Sequence, residues 1–167
     1  MGINIKHQCS FPLVFLATAT LLLAGQATAI ATATVSDLCA ATEYKPLCRA
    51  TLKGITDPNA AIEASINQVI LKSKHAYFRS RTMGNDETTE ICKEMYDDAI
   101  TDLENSLKAL KAKDKGTLDS NLSAAISYYS SCDDSYAEMG QESPFSKINI
   151  VLQHMVDNCL VLATQIH

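Results

Sequence analysis

Ile91-Cys92-Lys93-Glu94-Met95-Tyr96-Asp97-Asp98-Ala99 opens the stretch whose reading decides the fold of this chain. Leu122-Ser123-Ala124-Ala125-Ile126, then Ser130-Ser131-Cys132, closes it. In its first half Cys92, Met95, Tyr96, Ala99, Leu103, Ser106 and Leu110 recur every three or four residues, which predicts one apolar stripe along an α-helix. In its second half Leu118, Leu122, Ala125, Tyr129, Cys132 and Tyr136 do the same. The stretch therefore predicts two antiparallel helices joined near Lys113–Thr117. With a turn near Asp114 and a rise of about 1.5 Å per residue, Cys92 and Cys132 sit at similar heights, about 33 and 27 Å from the turn. Both lie on inward stripes, so a disulfide across the hairpin is geometrically reasonable.

The same residues carry a resemblance. Cys92-x-Glu94-x-Tyr96-x-Asp98-Ala99, Leu103, Ser123-Ala124-Ala125-Ile126-Ser127 and Ser131-Cys132 resemble the plant pectin methylesterase and invertase inhibitor family. The likeness covers nearly all of the chain after residue 35. It implies an all-α fold: a four-helix up-down-up-down bundle with an N-terminal helical hairpin and two disulfides.

Around that centre, length and composition are those of one globular domain: 167 residues, 47% apolar and 20% charged. Residues 1–29 have the form of a secretory signal peptide. Lys6 and His7 precede an apolar run from Phe11 to Ala24, and Ala27-Thr28-Ala29 fits a cleavage site. The run is too short and weakly flanked for a membrane anchor, so no membrane association is expected of the mature form. Removing it takes away one Lys and no acid, leaving 13 basic and 19 acidic residues, a net charge of −6. That balance argues against a nucleic-acid partner.

Cleavage also removes Cys9, leaving Cys39, Cys48, Cys92, Cys132 and Cys159 in a compartment that permits disulfides. Four cysteines allow three pairings, among which sequence alone does not choose. Local spacing and the family resemblance both favour Cys39–Cys48 with Cys92–Cys132. Cys159 is then a free thiol, read as a buried small hydrophobe on a heptad seam.

The remaining segments complete the architecture. Residues 35–55 are expected as a helical hairpin turning at Tyr44-Lys45-Pro46 and stopped by Gly54. The domain runs over residues 30–167, with the bundle over residues 57–166. Asp57-Pro58 starts a long helix whose inner face is Ile62, Ile66, Val69, Ile70 and Tyr77. Ser143-Pro144 is expected to start the last helix in the same way. There Phe145, Ile148, Leu152, Met155, Cys159, Leu162 and Ile166 form a heptad seam.

The residues offer little chemistry. His75, His154 and His167 are scattered, with no His or Cys at metal-ligand spacing. Glycine-rich phosphate loops and nucleophile elbows are absent. No cofactor and no enzymatic activity are expected. Glu90, Glu94, Asp97, Asp98, Asp102 and Glu104 form an acidic cluster that suits either a partner-binding face or a solvated helix surface. Asn121-Leu122-Ser123 is an N-glycosylation sequon beside an inward residue.

A rigid, stapled bundle without a site suggests binding rather than catalysis, and the resemblance names what is bound. It implies a secreted apoplast or cell-wall protein, monomeric when free, that blocks the catalytic cleft of a pectin methylesterase in a one-to-one complex. The two middle bundle helices would supply much of the contact, through Glu94, Asp98, Thr101, Ser127, Ser131 and Asp134. An acid invertase, cell-wall or vacuolar, is the alternative target. Invertase inhibitors of the family carry a Pro-Lys-Phe segment at the start of the third bundle helix, where this chain has Lys115-Gly116-Thr117. The Ser123-Ala124-Ala125-Ile126 segment also resembles the esterase-inhibitor branch. Ser143-Pro144-Phe145-Ser146 and Asn149-Ile150, in contrast, resemble segments of invertase inhibitors. A carrier of small apolar ligands is the rival from another class, set against apolar stripes that read as a filled core.

Overall fold

A computed structural model describes residues 37–166. The signal peptide expected over residues 1–29, the hairpin's Val35 and Ser36, and His167 lie outside the described residues. Five α-helices follow one another: α1 Lys45–Leu52, α2 Pro58–Arg81, α3 Glu87–Ala112, α4 Lys115–Glu138 and α5 Ser146–Ala163. Helices α2 to α5 form a closed ring in chain order, α2 on α3, α3 on α4, α4 on α5 and α5 back on α2. α1 lies across α2 and α5. Short connections make consecutive bundle helices antiparallel, so the fold is an all-α four-helix bundle of up-down-up-down topology.

Local chemistry explains where the helices begin. The carboxylates of Asp57, Asp86 and Asp114 each accept a backbone N–H three residues on, from Ala60 (2.7 Å), Thr89 (3.0 Å) and Thr117 (3.0 Å). Each bond satisfies one of the amides that a helix start leaves unpaired. Hydroxyl donors from Thr88, Thr89 and Thr117 hold the Asp86 and Asp114 carboxyls below the usual carboxylate range. Helix α3 stops because Lys113 turns left-handed (φ 56°) and the Asp114 N–H reaches back to the Ala109 carbonyl. At the end of α4, Gly140 supplies the left-handed residue (φ 69°) and Gln141 donates to the Tyr136 carbonyl.

Two local expectations change. Among the described residues of the N-terminal hairpin, only the return arm is a helix. The outgoing arm is a turn over 38–41, closed by bonds from Ala40 to Asp37 and from Thr42 to Cys39. The span from Cys39 to its disulfide partner Cys48 leaves little length for two helical arms. Pro46 sits in the first turn of α1 rather than at an apex, because a residue there has no helical acceptor to lose. The second change is at α5, which starts at Ser146. Ser143 Oγ accepts from the Phe145 N–H (3.1 Å) and closes a turn instead of capping the helix.

The ring interior is filled by the residues of the sequence stripes. Cys92, Tyr96, Ala99, Leu103 and Ser106 of α3 are fully buried, as are Leu122, Ala125, Tyr129 and Cys132 of α4; Met95 and Leu110 are half-buried. Phe145 is fully buried, with its ring edge-on to Tyr96 (5.9 Å) and Tyr136 (6.1 Å). Sγ atoms are bonded between Cys39 and Cys48 and between Cys92 and Cys132, the latter pair with Cα atoms 4.6 Å apart. The second bond closes a loop with a sequence separation of 40; a loop of that length stabilises by about 4 kcal/mol on chain entropy.

Candidate functional site

The Cys92–Cys132 bond fixes the register of α3 against α4, and so fixes what the pair shows to solvent. Glu94, Asp98 and Thr101 fall at i, i+4 and i+7 on α3; Ser127, Ser131 and Asp134 do so on α4. Glu94, Thr101, Ser127, Ser131 and Asp134 are exposed, while Asp98 is half-buried. Asp98 lies close enough to Tyr128 of α4 for its charge to act on the phenol. Burial pushes the Tyr128 phenol up, and the charges of Asp102 and Asp98 push it further. All six residues therefore lie on the outer side of one disulfide-fixed helix pair.

The acidic cluster continues round α3. Glu90, Glu94 and Asp97 line an open polar groove with Tyr77 and Arg81 of α2. Lys93 is held at its edge, donating to Glu90 Oε1 (2.6 Å), the Gly84 carbonyl (2.8 Å) and Asn85 Oδ1 (3.0 Å). Arg81 lies over the Tyr77 ring at 6.0 Å. Cations thus flank the acids on the α2 side and leave the side towards α4 acidic. Asn121 is half-exposed; its neighbour Leu122 is fully buried, and Ser123 is exposed.

Other candidate residues sit elsewhere. His154 is not a plain surface histidine: it is half-buried and stacked on Tyr44, with centroids 3.6 Å apart and 12° between planes. Asn158 Nδ2 donates to the Tyr44 carbonyl (3.1 Å) and Gln165 Nε2 to the Leu38 carbonyl (2.8 Å), so α5 carries the N-terminal segment. Burial also holds the Asp157 carboxyl up, against the opposing charge of His154. Cys159 is buried, and burial pushes its thiol up to about 12, which leaves it without nucleophilic character. Among the described residues no group of three His, Cys, Asp or Glu is placed to hold a metal ion. A cavity of about 70 Å³, lined by Ala109, Leu110, Leu118 and Ile166 together with Asn59, Lys113, Asp114 and Lys115, lies at the α3–α4 turn. That is well below the roughly 300 Å³ at which small-molecule sites begin.

Sequence periodicity missed a polar chain through the bundle. Tyr96 Oη donates to Asn149 Oδ1 (2.5 Å), and Asn149 Nδ2 donates to Asp133 Oδ1 (2.8 Å), joining α3, α5 and α4. Tyr129 of α4 pairs with Ser73 of α2 across the ring (2.6 Å), and Tyr136 of α4 with Thr89 of α3 (2.8 Å). The three buried phenols Tyr96, Tyr129 and Tyr136 thus each meet a polar partner on another helix, two of them diagonally across the ring. These bonds hold the α3–α4 pair rigid beneath its outer face.

Comparison with known proteins agrees with this geometry. A crystal structure of a mutant pectin methylesterase inhibitor from Arabidopsis superposes with a TM-score of 0.68, at 17% identity, covering 80% of this chain and 97% of that one. A second inhibitor structure, from Arabidopsis thaliana, gives 0.61 at 16% identity, covering 77% and 93%. These likenesses show the fold. An Arabidopsis thaliana protein described as a probable pectinesterase/pectinesterase inhibitor is 32% identical over 116 residues, 59% of this chain. The chain spans 17% of that relative's length. The family described as plant invertase/pectin methylesterase inhibitor matches residues 33–162. On that match, laid over the disulfide-fixed bundle, the chain belongs to the plant invertase/pectin methylesterase inhibitor family, a family of inhibitor domains.

Proposed function

We propose that this protein is a secreted inhibitor of plant pectin methylesterase, acting one-to-one in the cell wall. The outer side of the α3–α4 pair would lie against the enzyme's catalytic cleft. The observation that carries the reading is the two polar stripes held in fixed register by Cys92–Cys132. A surface that is already rigid loses little conformational entropy on docking, so more of the contact energy remains as affinity. Steric exclusion then suffices as a mechanism.

The first turn of α4 supports the choice of esterase over invertase. Lys115-Gly116-Thr117 is exposed there, without an aromatic anchor, and Lys115 Nζ is tied to the Ala163 carbonyl (2.9 Å) and Asp119 (3.4 Å). A Cβ added at Gly116 meets only Asp114 Oδ1 at 3.7 Å, and proline suits the first position of a helix. The backbone therefore has room for Pro-Lys-Phe at these positions, at the loss of the Lys115 contacts and of the Thr117 hydroxyl bond to Asp114. The test is to assay the protein against both enzyme classes, before and after that replacement. Esterase inhibition by the unmodified protein supports the reading; invertase inhibition alone overturns it. The Asn121 sequon belongs to the same proposal, as a glycan site at the margin of the docking face.

A further inference from the structure

α2 presents a surface of different character from the rest of this acidic molecule. Residues 64–85 contain no acid and four cations, Lys72, Lys74, Arg79 and Arg81. Leu71, His75 and Phe78 fall at i, i+4 and i+7 and form the outward row of the helix. Phe78 is 69% exposed and Leu71 48%, unusual for such large apolar side chains on one helix row. Lys74 and Arg81 flank this row on the α3 side, where Lys74 pairs with Glu104 (2.9 Å) and Arg81 covers Tyr77. Lys72 and Arg79 flank it on the α5 side. Arg79 shares an open groove there with Lys147 and one acid, Glu142, and among the described residues none of Arg79, Lys147 and Lys72 forms an ion pair.

We propose that this face of α2 binds a polyuronate chain, the carboxylate-bearing form of the pectin on which the proposed target acts. The proposal rests on the esterase reading for its setting, and on the face itself for its chemistry. The row is one residue wide, with His75 between the two apolar side chains, too narrow for the buried centre of a protein interface or for insertion into a lipid layer. It suits a ribbon-like polymer. The negative face of an exposed aromatic ring, Phe78, takes the C–H side of a pyranose. The flanking cations repeat at seven residues, about 10.5 Å along the helix, and complement a linear row of carboxylates. Each methyl ester that the target hydrolyses releases methanol and leaves one such carboxylate. The inhibitor would therefore gather where its target has already acted, on a face separate from the α3–α4 pair.

The experiment measures binding of the secreted protein to polygalacturonate and to fully methyl-esterified polymer, with no enzyme present. Expected is retention by the first polymer alone, weakened by salt. Phe78→Ala should abolish most of it, and Lys72→Glu with Arg79→Glu should lower affinity by roughly tenfold or more. Both variants change surface residues and should melt with the unmodified protein. Equal retention by both polymers, or retention unchanged in the variants, overturns the proposal. Binding to anionic phosphatidylglycerol vesicles in place of the polymer, or a dimer that Phe78→Ala dissolves, assigns the face to another occupant and overturns it too. Failure of esterase inhibition in the separate enzyme assay would remove the setting and leave the polymer result standing.

Discussion

Tyr96→Phe removes one oxygen from the centre of the bundle, and its cost can be worked from the contacts. The hydroxyl is fully enclosed and donates to Asn149 Oδ1, on a residue that is itself 0% exposed. Without it that oxygen is buried and unpaired, which costs about 1–3 kcal/mol. For a domain of this size that lowers the melting temperature by about 3–10 °C. Asn149→Leu removes the acceptor and strands the phenol instead, at a similar or larger cost. The double variant removes both partners, and Asp133, half-exposed, is left to water. The two single costs should therefore fail to add, with a coupling of about 1–3 kcal/mol in a double-mutant cycle. Urea unfolding of the four proteins, followed by circular dichroism, supplies the values. Single costs below about 0.5 kcal/mol, or strict additivity, would refute the claim that this polar chain fixes the bundle.

Three further outcomes follow from particular groups. Leu152→Ala, at a fully buried position on α5, should cost about 2–5 kcal/mol, and Gln153→Ala within about 0.5; equal shifts in denaturant midpoint would mean the helix is rotated. Cys159 should react with a thiol reagent only after unfolding, and non-reducing peptide mapping should find Cys39–Cys48 and Cys92–Cys132; a disulfide-linked peptide holding Cys159 would contradict the pairing. Asp86 and Asp114 have folded-state carboxyls below the ordinary value, so their contribution is full above about pH 4 and fades as pH falls through the lowered values. Asp86→Asn with Asp114→Asn should then flatten the acid limb of the stability curve, and an unchanged limb would assign acid sensitivity to other groups.

Most of the bundle was legible because burial follows helical period. Cys92, Tyr96, Ala99 and Leu103 announce one face, as do Leu118, Leu122, Ala125 and Tyr129, and two short connections then force antiparallel packing. The polar interior was not legible. A count of apolar seam positions passes over Asn149 and Asn158, both buried. Only the partners reveal the asparagines' role, and those lie far away in sequence: Tyr96 for Asn149 and the Tyr44 carbonyl for Asn158. Tyr44 looked like part of a turn, because nothing local shows that its ring stacks on His154. Asp114 looked like a turn residue; its capping role, like that of Asp86, depends on a threonine three positions on, Thr117 and Thr89. At the candidate face, periodicity gave the exposure of Glu94, Thr101, Ser127, Ser131 and Asp134. Exposure alone does not say what docks, since solvated helix surfaces have the same pattern.

The central claim is that the α3–α4 outer side closes an esterase. The most direct measurement is titration of the purified protein against a panel of plant pectin methylesterases and acid invertases, repeated with Asp98→Arg and Ser127→Arg. The account predicts stoichiometric inhibition of at least one pectin methylesterase at one-to-one, weakened by both substitutions with no fall in melting temperature. Inhibition of invertase alone, or esterase inhibition untouched by both substitutions, would contradict it.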